Sequence, residues 1–153
     1  QISLPNTFNT IISLYKNIAI KKDIVINTNI ENVSIVSYIS EEWLRTVIGN
    51  LIDNAIKYSK PSTSVNVIAS IKNLKLIISI EDFGCGIEKN ELKKIFHRFY
   101  RVDKSRNNKI EGTGLGLSIV KNMILNMKGK IKVKSEINKG STFVITLNIL
   151  DIK

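Results

Sequence analysis

Residues 40–59, SEEWLRTVIGNLIDNAIKYS, carry the clearest periodicity in the chain. Leu44, Val47, Ile48, Leu51, Ile52 and Ala55 recur at steps of three and four, which is one face of an α-helix. Ser40 stands where an N-cap belongs, and Glu41 and Glu42 fill the first turn, where the helix dipole favours anions. The helix is expected to stop near Ser59, just before Pro61. Its apolar stripe leaves a second face on which Asn50, Asn54 and Lys57 project together, with Tyr58 beside them at the helix end. Two amides and an ammonium on a partly apolar helix need either solvent or a partner.

Upstream of this helix, Phe8, Ile11, Ile12, Tyr15 and Ala19 predict another helix, Asp23 to Ile30 alternates as a strand, and Val33 to Ile39 holds a short second strand. Downstream, Val65 to Ile71 and Leu74 to Glu81 read as two strands joined by a tight turn at Lys72–Asn73. A helix is expected from Lys89 to Phe99. Arg101 to Gly114 is polar and aperiodic and reads as a mobile loop. Leu115 to Met127 is helical again, and Lys130 to Ser135 and Thr142 to Asn148 alternate as strands around a turn at Asn138–Gly140. This order predicts an α+β fold, with helices on one face of a mixed, mostly antiparallel sheet.

The 153 residues amount to about one domain, and 43% hydrophobic content suffices for a core. The first residue is Gln, so a fragment or a processed chain is expected, its first few residues being the tail of a linker. No apolar run approaches the roughly 20 residues that cross a bilayer. The single cysteine, Cys85, excludes an internal disulfide and fits a reducing compartment. The net charge of +10 permits a polyanionic ligand, but the lysines are scattered and form no nucleic-acid block.

Two glycine-bearing segments follow the long helix. In Glu81-Asp82-Phe83-Gly84-Cys85-Gly86-Ile87 an acid at a strand end meets Gly-x-Gly, which places a carboxylate at a loop mouth where backbone can approach a ligand closely. An ionised carboxylate only accepts hydrogen bonds; it suits the exocyclic amine of adenine and not the carbonyl oxygen of guanine. In Glu111-Gly112-Thr113-Gly114-Leu115-Gly116-Leu117-Ser118 three alternate glycines lead into a helix, an arrangement suited to phosphate. It is neither a P-loop nor a dinucleotide fingerprint. Between the two, Phe96-His97-Arg98-Phe99-Tyr100-Arg101, followed by Lys104, mixes aromatics with cations. Each segment alone also fits an ordinary turn, a solvated helix face or a helix end.

In this order the segments resemble the nucleotide-binding domain of sensor histidine kinases, in the GHKL superfamily of gyrase, the ninety-kilodalton heat-shock chaperone and the mismatch-repair ATPase. Asn50 to Tyr58 is similar to the N box, Asp82 to Gly86 to the G1 box, Phe96 to Arg101 to the F box and Gly112 to Leu117 to the G2 box. Gly140-Ser-Thr142-Phe143 resembles the last motif. The resemblance spans residues 40 to 148 and implies a Bergerat-type two-layer fold that binds ATP with Mg²⁺. It implies that Asn54, with Asn50 nearby, supplies oxygen to Mg²⁺, that Lys57 contacts phosphate and that Tyr58 packs near adenine. It gives Asp82 the adenine amino group, with Thr142 supporting that contact through water. Gly84, Gly86 and Ile87 shape the pocket, Gly112, Thr113, Gly114, Leu115, Gly116 and Leu117 close over the triphosphate, and Arg101 and Lys104 are further phosphate candidates. In the last motif Asn138 replaces a glycine, and its tolerance of left-handed backbone lets the turn survive. His97, the only histidine, falls in the F box, so the resemblance implies that the phosphorylated histidine lies on a separate dimerisation domain.

The expectation is a kinase domain that binds Mg-ATP and donates the γ-phosphate to that histidine in two-component signalling, with a response regulator as further partner and no nucleic acid. Asn50 stands where hydrolysing relatives of the superfamily carry a glutamate base, which argues for transfer over hydrolysis. The isolated domain is expected to be a monomer in the cytoplasm, and its parent a homodimeric sensor kinase of the inner or plasma membrane. The rival readings are an anti-sigma-factor serine kinase, a nucleotide sensor without catalysis, and a basic nucleic-acid-binding module.

Overall fold

The computed structural model describes residues 1–102 and 112–152. In chain order its elements are β1 (Ile2–Ser3), α1 (Leu4–Lys21), β2 (Ile24–Ile30), β3 (Ser34–Val36), α2 (Glu41–Tyr58), β4 (Thr63–Lys72), β5 (Lys75–Asp82), α3 (Gly116–Asn126), β6 (Lys130–Glu136), β7 (Gly140–Asn148) and β8 (Asp151–Ile152). Five strands form the main sheet in the order β2-β4-β5-β7-β6. Only β2 and β4 run parallel, because α2 crosses between them; the other neighbours are antiparallel.

Alternation decides which sheet face is covered. Val65, Val67 and Ala69 of β4, Leu76, Ile78 and Ile80 of β5, and Phe143, Ile145 and Leu147 of β7 are buried. They pack in one core with the α2 stripe and with Val120 and Ile124 of α3. Each fully buried aliphatic side chain stabilises this layer by about 1.5–3 kcal/mol. The Ser40 hydroxyl accepts from the Trp43 amide at 3.0 Å and starts α2 where the sequence predicts. The β4–β5 hairpin closes through Asn73 and Leu74, both at positive φ (51° and 53°), the geometry that matches strand twist in a two-residue loop.

One expectation about the elements is corrected. The helix expected from Lys89 to Phe99 does not form. The apolar spacing is satisfied, since Ile95 is buried and Phe96 meets the Phe143 ring edge-on at 6.3 Å. The backbone, however, closes as successive turns: the amides of Glu91, Lys94 and His97 each reach a carbonyl three residues back, and Phe99 turns to φ 62°. Turns bury those side chains as well as a helix does, so spacing could not separate the two. The opening residues pack onto the domain. Ile2 and Leu4 are buried, and β1, β3 and β8 make a second small sheet with antiparallel pairs.

Candidate functional site

The polar face of α2, the end of β5 and the start of α3 converge. A Cβ added to Gly116 would lie 2.9 Å from the Asn50 Oδ1, so the two helices touch at the amide. The Asn50 Nδ2 donates to the Thr46 carbonyl at 2.7 Å, which fixes the rotamer. Asn54 is half-buried one turn on, and its carboxamide makes no hydrogen bond among the described residues. Lys57 does not stand free: its ammonium lies 2.6 Å from the Asp53 carboxylate. Tyr58 is exposed at the helix end.

Asp82 is the last residue of β5 on the covered face, in line with Ile78 and Ile80, and only 6% exposed. Burial pushes its carboxyl above the usual carboxylate range, and backbone hydrogen bonds from Gly84 and Ser141 pull the other way. The Gly84 amide donates to its Oδ1 at 2.9 Å. The loop after Asp82 is clamped on both sides. Gly84 pairs with Ser59, and any side chain there would strike the Tyr58 carbonyl. Gly86, at φ 71°, has the Glu136 carbonyl against its α-carbon, and the Asn138 amide donates to the Cys85 carbonyl at 2.8 Å. Asn138 itself takes φ 64°, so the turn survives without a glycine there. The half-buried Ile87 is held by its amide on the Ser135 hydroxyl at 2.7 Å.

Thr142 is not brought to Asp82. In the β5–β7 register it pairs with Glu81, while Ser141 pairs with Asp82. Residues paired across an antiparallel ladder share a face, so the Thr142 side chain stands on the opposite side of the sheet. Ser141 is buried beside Asp82, and its hydroxyl lies 2.8 Å from that of Ser135. Two residues that the motifs did not single out therefore belong here: Ser141 and Ser59. The Ser59 hydroxyl is buried and has no hydrogen-bond partner among the described residues. Only the β5–β7 register picks out Ser141 over Thr142, and nothing in the sequence marks Ser59.

Among the described residues no side chain caps the start of α3, and its first turn holds no acid. Thr113 Oγ1 accepts from the Leu115 amide at 3.3 Å, and the Leu115 carbonyl accepts from Ser118 Oγ. Leu117 packs on the core. Gly114, at φ 71°, faces Phe99, whose amide donates to the Gly114 carbonyl at 3.0 Å, whereas among the described residues nothing lies within 4 Å of a Cβ at Gly112. Arg101 is half-buried. Lys104 lies outside the described residues, as does most of the loop expected between Arg101 and Gly114. His97 is exposed. Among the described residues no three acidic, histidine or cysteine side chains cluster as a metal cage. The donors available are amide oxygens, which suit a hard cation that retains water and takes its other oxygens from phosphate.

Residues 39–150 match the family described as histidine kinase-, DNA gyrase B-, and HSP90-like ATPase. Sensor protein RprX of Bacteroides fragilis (strain YCH46) is 43% identical over 127 residues, covering 82% of this chain and 24% of RprX. Signal transduction histidine-protein kinase ArlS of Staphylococcus aureus (strain USA300) is 52% identical over 94 residues, 61% of this chain and 21% of ArlS. The chain thus spans about a quarter of the length of the curated relatives it matches. Among solved structures, the catalytic domain of histidine kinase ThkA aligns with a TM-score of 0.81 at 23% identity, over 96% of this chain and 93% of that one. Full-length ShkA in complex with AMPPNP aligns at 0.79 and 26%, over 94% of this chain and 29% of that one.

Proposed function

This chain belongs to the histidine kinase-, DNA gyrase B- and HSP90-like ATPases, and from that premise we propose that it is the ATP-binding catalytic domain of a two-component sensor histidine kinase. The observation that carries this reading is the buried Asp82 carboxylate, oriented by Gly84 and Ser141 at the end of α2's polar face. A buried, pre-oriented acceptor recognises the adenine amine by charge-assisted hydrogen bonding, and the orphaned Ser59 hydroxyl next to Gly84 offers a second polar contact.

The triphosphate runs from there toward α3. The uncapped amides of its first turn suit phosphate oxygens. Lys57 exchanges Asp53 for phosphate when nucleotide arrives, and Tyr58 packs near the base. Asn54, with Asn50 beside it, offers oxygen to Mg²⁺; when bound, that ion screens the phosphate charge. The acceptor is an imidazole nitrogen on a separate dimerisation domain. It forms a bond to the γ-phosphorus as the bridging β–γ oxygen leaves with ADP, and the protein contributes positioning and charge stabilisation. Asn50 cannot take a proton from water, which supports transfer over hydrolysis. The relatives' names, a sensor protein and a histidine-protein kinase, support this reading over a serine kinase. The same reading includes a parent that senses at a membrane, with this domain on the cytoplasmic side, and a response regulator downstream. Among the described residues no helix is long and apolar enough to cross a membrane.

Calorimetric titration with a non-hydrolysable ATP analogue, with and without Mg²⁺ and with GTP as control, tests the site. Adenine-selective, Mg²⁺-dependent binding is expected; equal affinity for GTP would overturn the Asp82 assignment, and no binding would overturn the site.

A further inference from the structure

Lys22 lies 34 and 35 residues from the carbonyls it touches. Its ammonium donates to Ile56 O at 2.8 Å and to Lys57 O at 2.6 Å. These are carbonyls of the last turn of α2, where acceptors have no partner within the helix, and a cation there also meets the negative end of the helix dipole. The Ser59 amide takes the Ala55 carbonyl but leaves these two open. The contact is partly buried, and desolvation lowers the lysine pKa. The corner that carries Lys22 is itself pinned. Asp23 turns to φ 58°, its carbonyl accepts from the Ser62 amide at 2.8 Å, and its carboxylate accepts from the Ser62 hydroxyl.

What Lys22 grips is one wall of the site. Lys57, Tyr58 and Ser59 follow directly, Ser59 pairs with Gly84, and the Gly84 amide orients Asp82. We propose that Lys22 is a positioning residue of the nucleotide site: by capping the C-terminus of α2 it fixes the backbone on which the Asp82–Gly86 loop rests. This rests on the ATP-site reading above. It also connects the end of α1 to the base-recognition loop by way of the α2 C-terminus.

The test uses the whole chain and two readouts, affinity for the ATP analogue with Mg²⁺ and amide hydrogen exchange. Lys22→Met is expected to weaken binding about tenfold and to raise exchange at residues 57–59 and 82–86 while leaving α3 and β6 unchanged. Lys22→Arg, which keeps a cation at the cap, is expected to stay within about threefold of wild type. Ile35→Val, in the small sheet away from the site, controls for general loss of stability and should leave affinity unchanged. Wild-type affinity in Lys22→Met, or exchange raised evenly over the chain, would overturn the proposal. If wild type itself bound no ATP, the site reading would fail, and selective exchange in the two segments would still support the positioning role. Should Lys22→Met not fold, Lys22→Gln, which retains a neutral donor, is expected to show the same pattern with a loss of about threefold, and an unchanged loop would count against it.

Discussion

Asp82 carries a charge that the fold buries, and the consequence can be read in two directions. Asp82→Asn removes the charged acceptor; a hydrogen bond to a charged group is worth about 1.5–3 kcal/mol, so ATP affinity should fall about 10- to 100-fold in a calorimetric titration. Stability moves the other way. Because burial raises the folded pKa above the unfolded one, Asp82 stabilises the native state most below its unfolded pKa, and that contribution is lost as pH rises through the folded value. Without ligand, the Asp82→Asn variant has no such charge to bury, so it should melt higher than wild type at pH 7 and lose the advantage near about pH 4. A lower melting point at pH 7 would show that the two backbone hydrogen bonds outweigh desolvation. Gly84→Ala tests the clamp. Its methyl would overlap the Tyr58 carbonyl, and overpacking of this kind costs about 1–3 kcal/mol, with nucleotide affinity lost because the loop must move off Ser59.

At the scale of the element, α2 does two jobs with two faces. Its stripe carries the core, so Ile52→Ala, at a fully buried position, should cost about 2–5 kcal/mol in urea unfolding with an unchanged slope. Its N-terminus is capped by Ser40 at the end remote from Lys57 and Tyr58. Ser40→Ala should therefore cost about 0.5–2 kcal/mol and leave nucleotide affinity as it was; a matching loss of affinity would mean that the cap is coupled to the site. The long helix was legible because a capped eighteen-residue period is self-consistent. The segment 89–99 has the same kind of apolar spacing with fewer repeats, and its side chains reach Phe143 through turns instead. β1 and β8 are two residues long, too short for any alternation to show.

For the whole molecule, ligand binding and stability are linked. At a nucleotide concentration about 100 times the dissociation constant the native state gains about 2.7 kcal/mol, which at this size raises the melting temperature by about 5–10 °C. Mg-ATP should produce that shift and Mg-GTP should not. The only histidine in the chain is the exposed His97, so incubation with γ-labelled ATP should leave the isolated chain unlabelled, and label should appear on a dimerisation domain added in trans. Label on this chain would overturn the division of labour between two domains.

By itself the sequence determined the helix that organises the fold, the strands of the main sheet, and the order of motifs that resembles a histidine kinase ATP site. Those properties are local, or repeat at a fixed period, and survive being read one residue at a time. Tertiary structure alone decided which side chains from different elements meet. Thr142 and Ser141 are neighbours in the chain, and only the pairing of β7 with β5 tells which of them shares the face of Asp82. Lys57 and Asp53 are one helical turn apart and could be foreseen as a pair. Lys22 reaches the end of α2 across 34 residues, and no spacing rule connects them. Contacts of that kind depend on how the layers pack, which the chain specifies only as a whole.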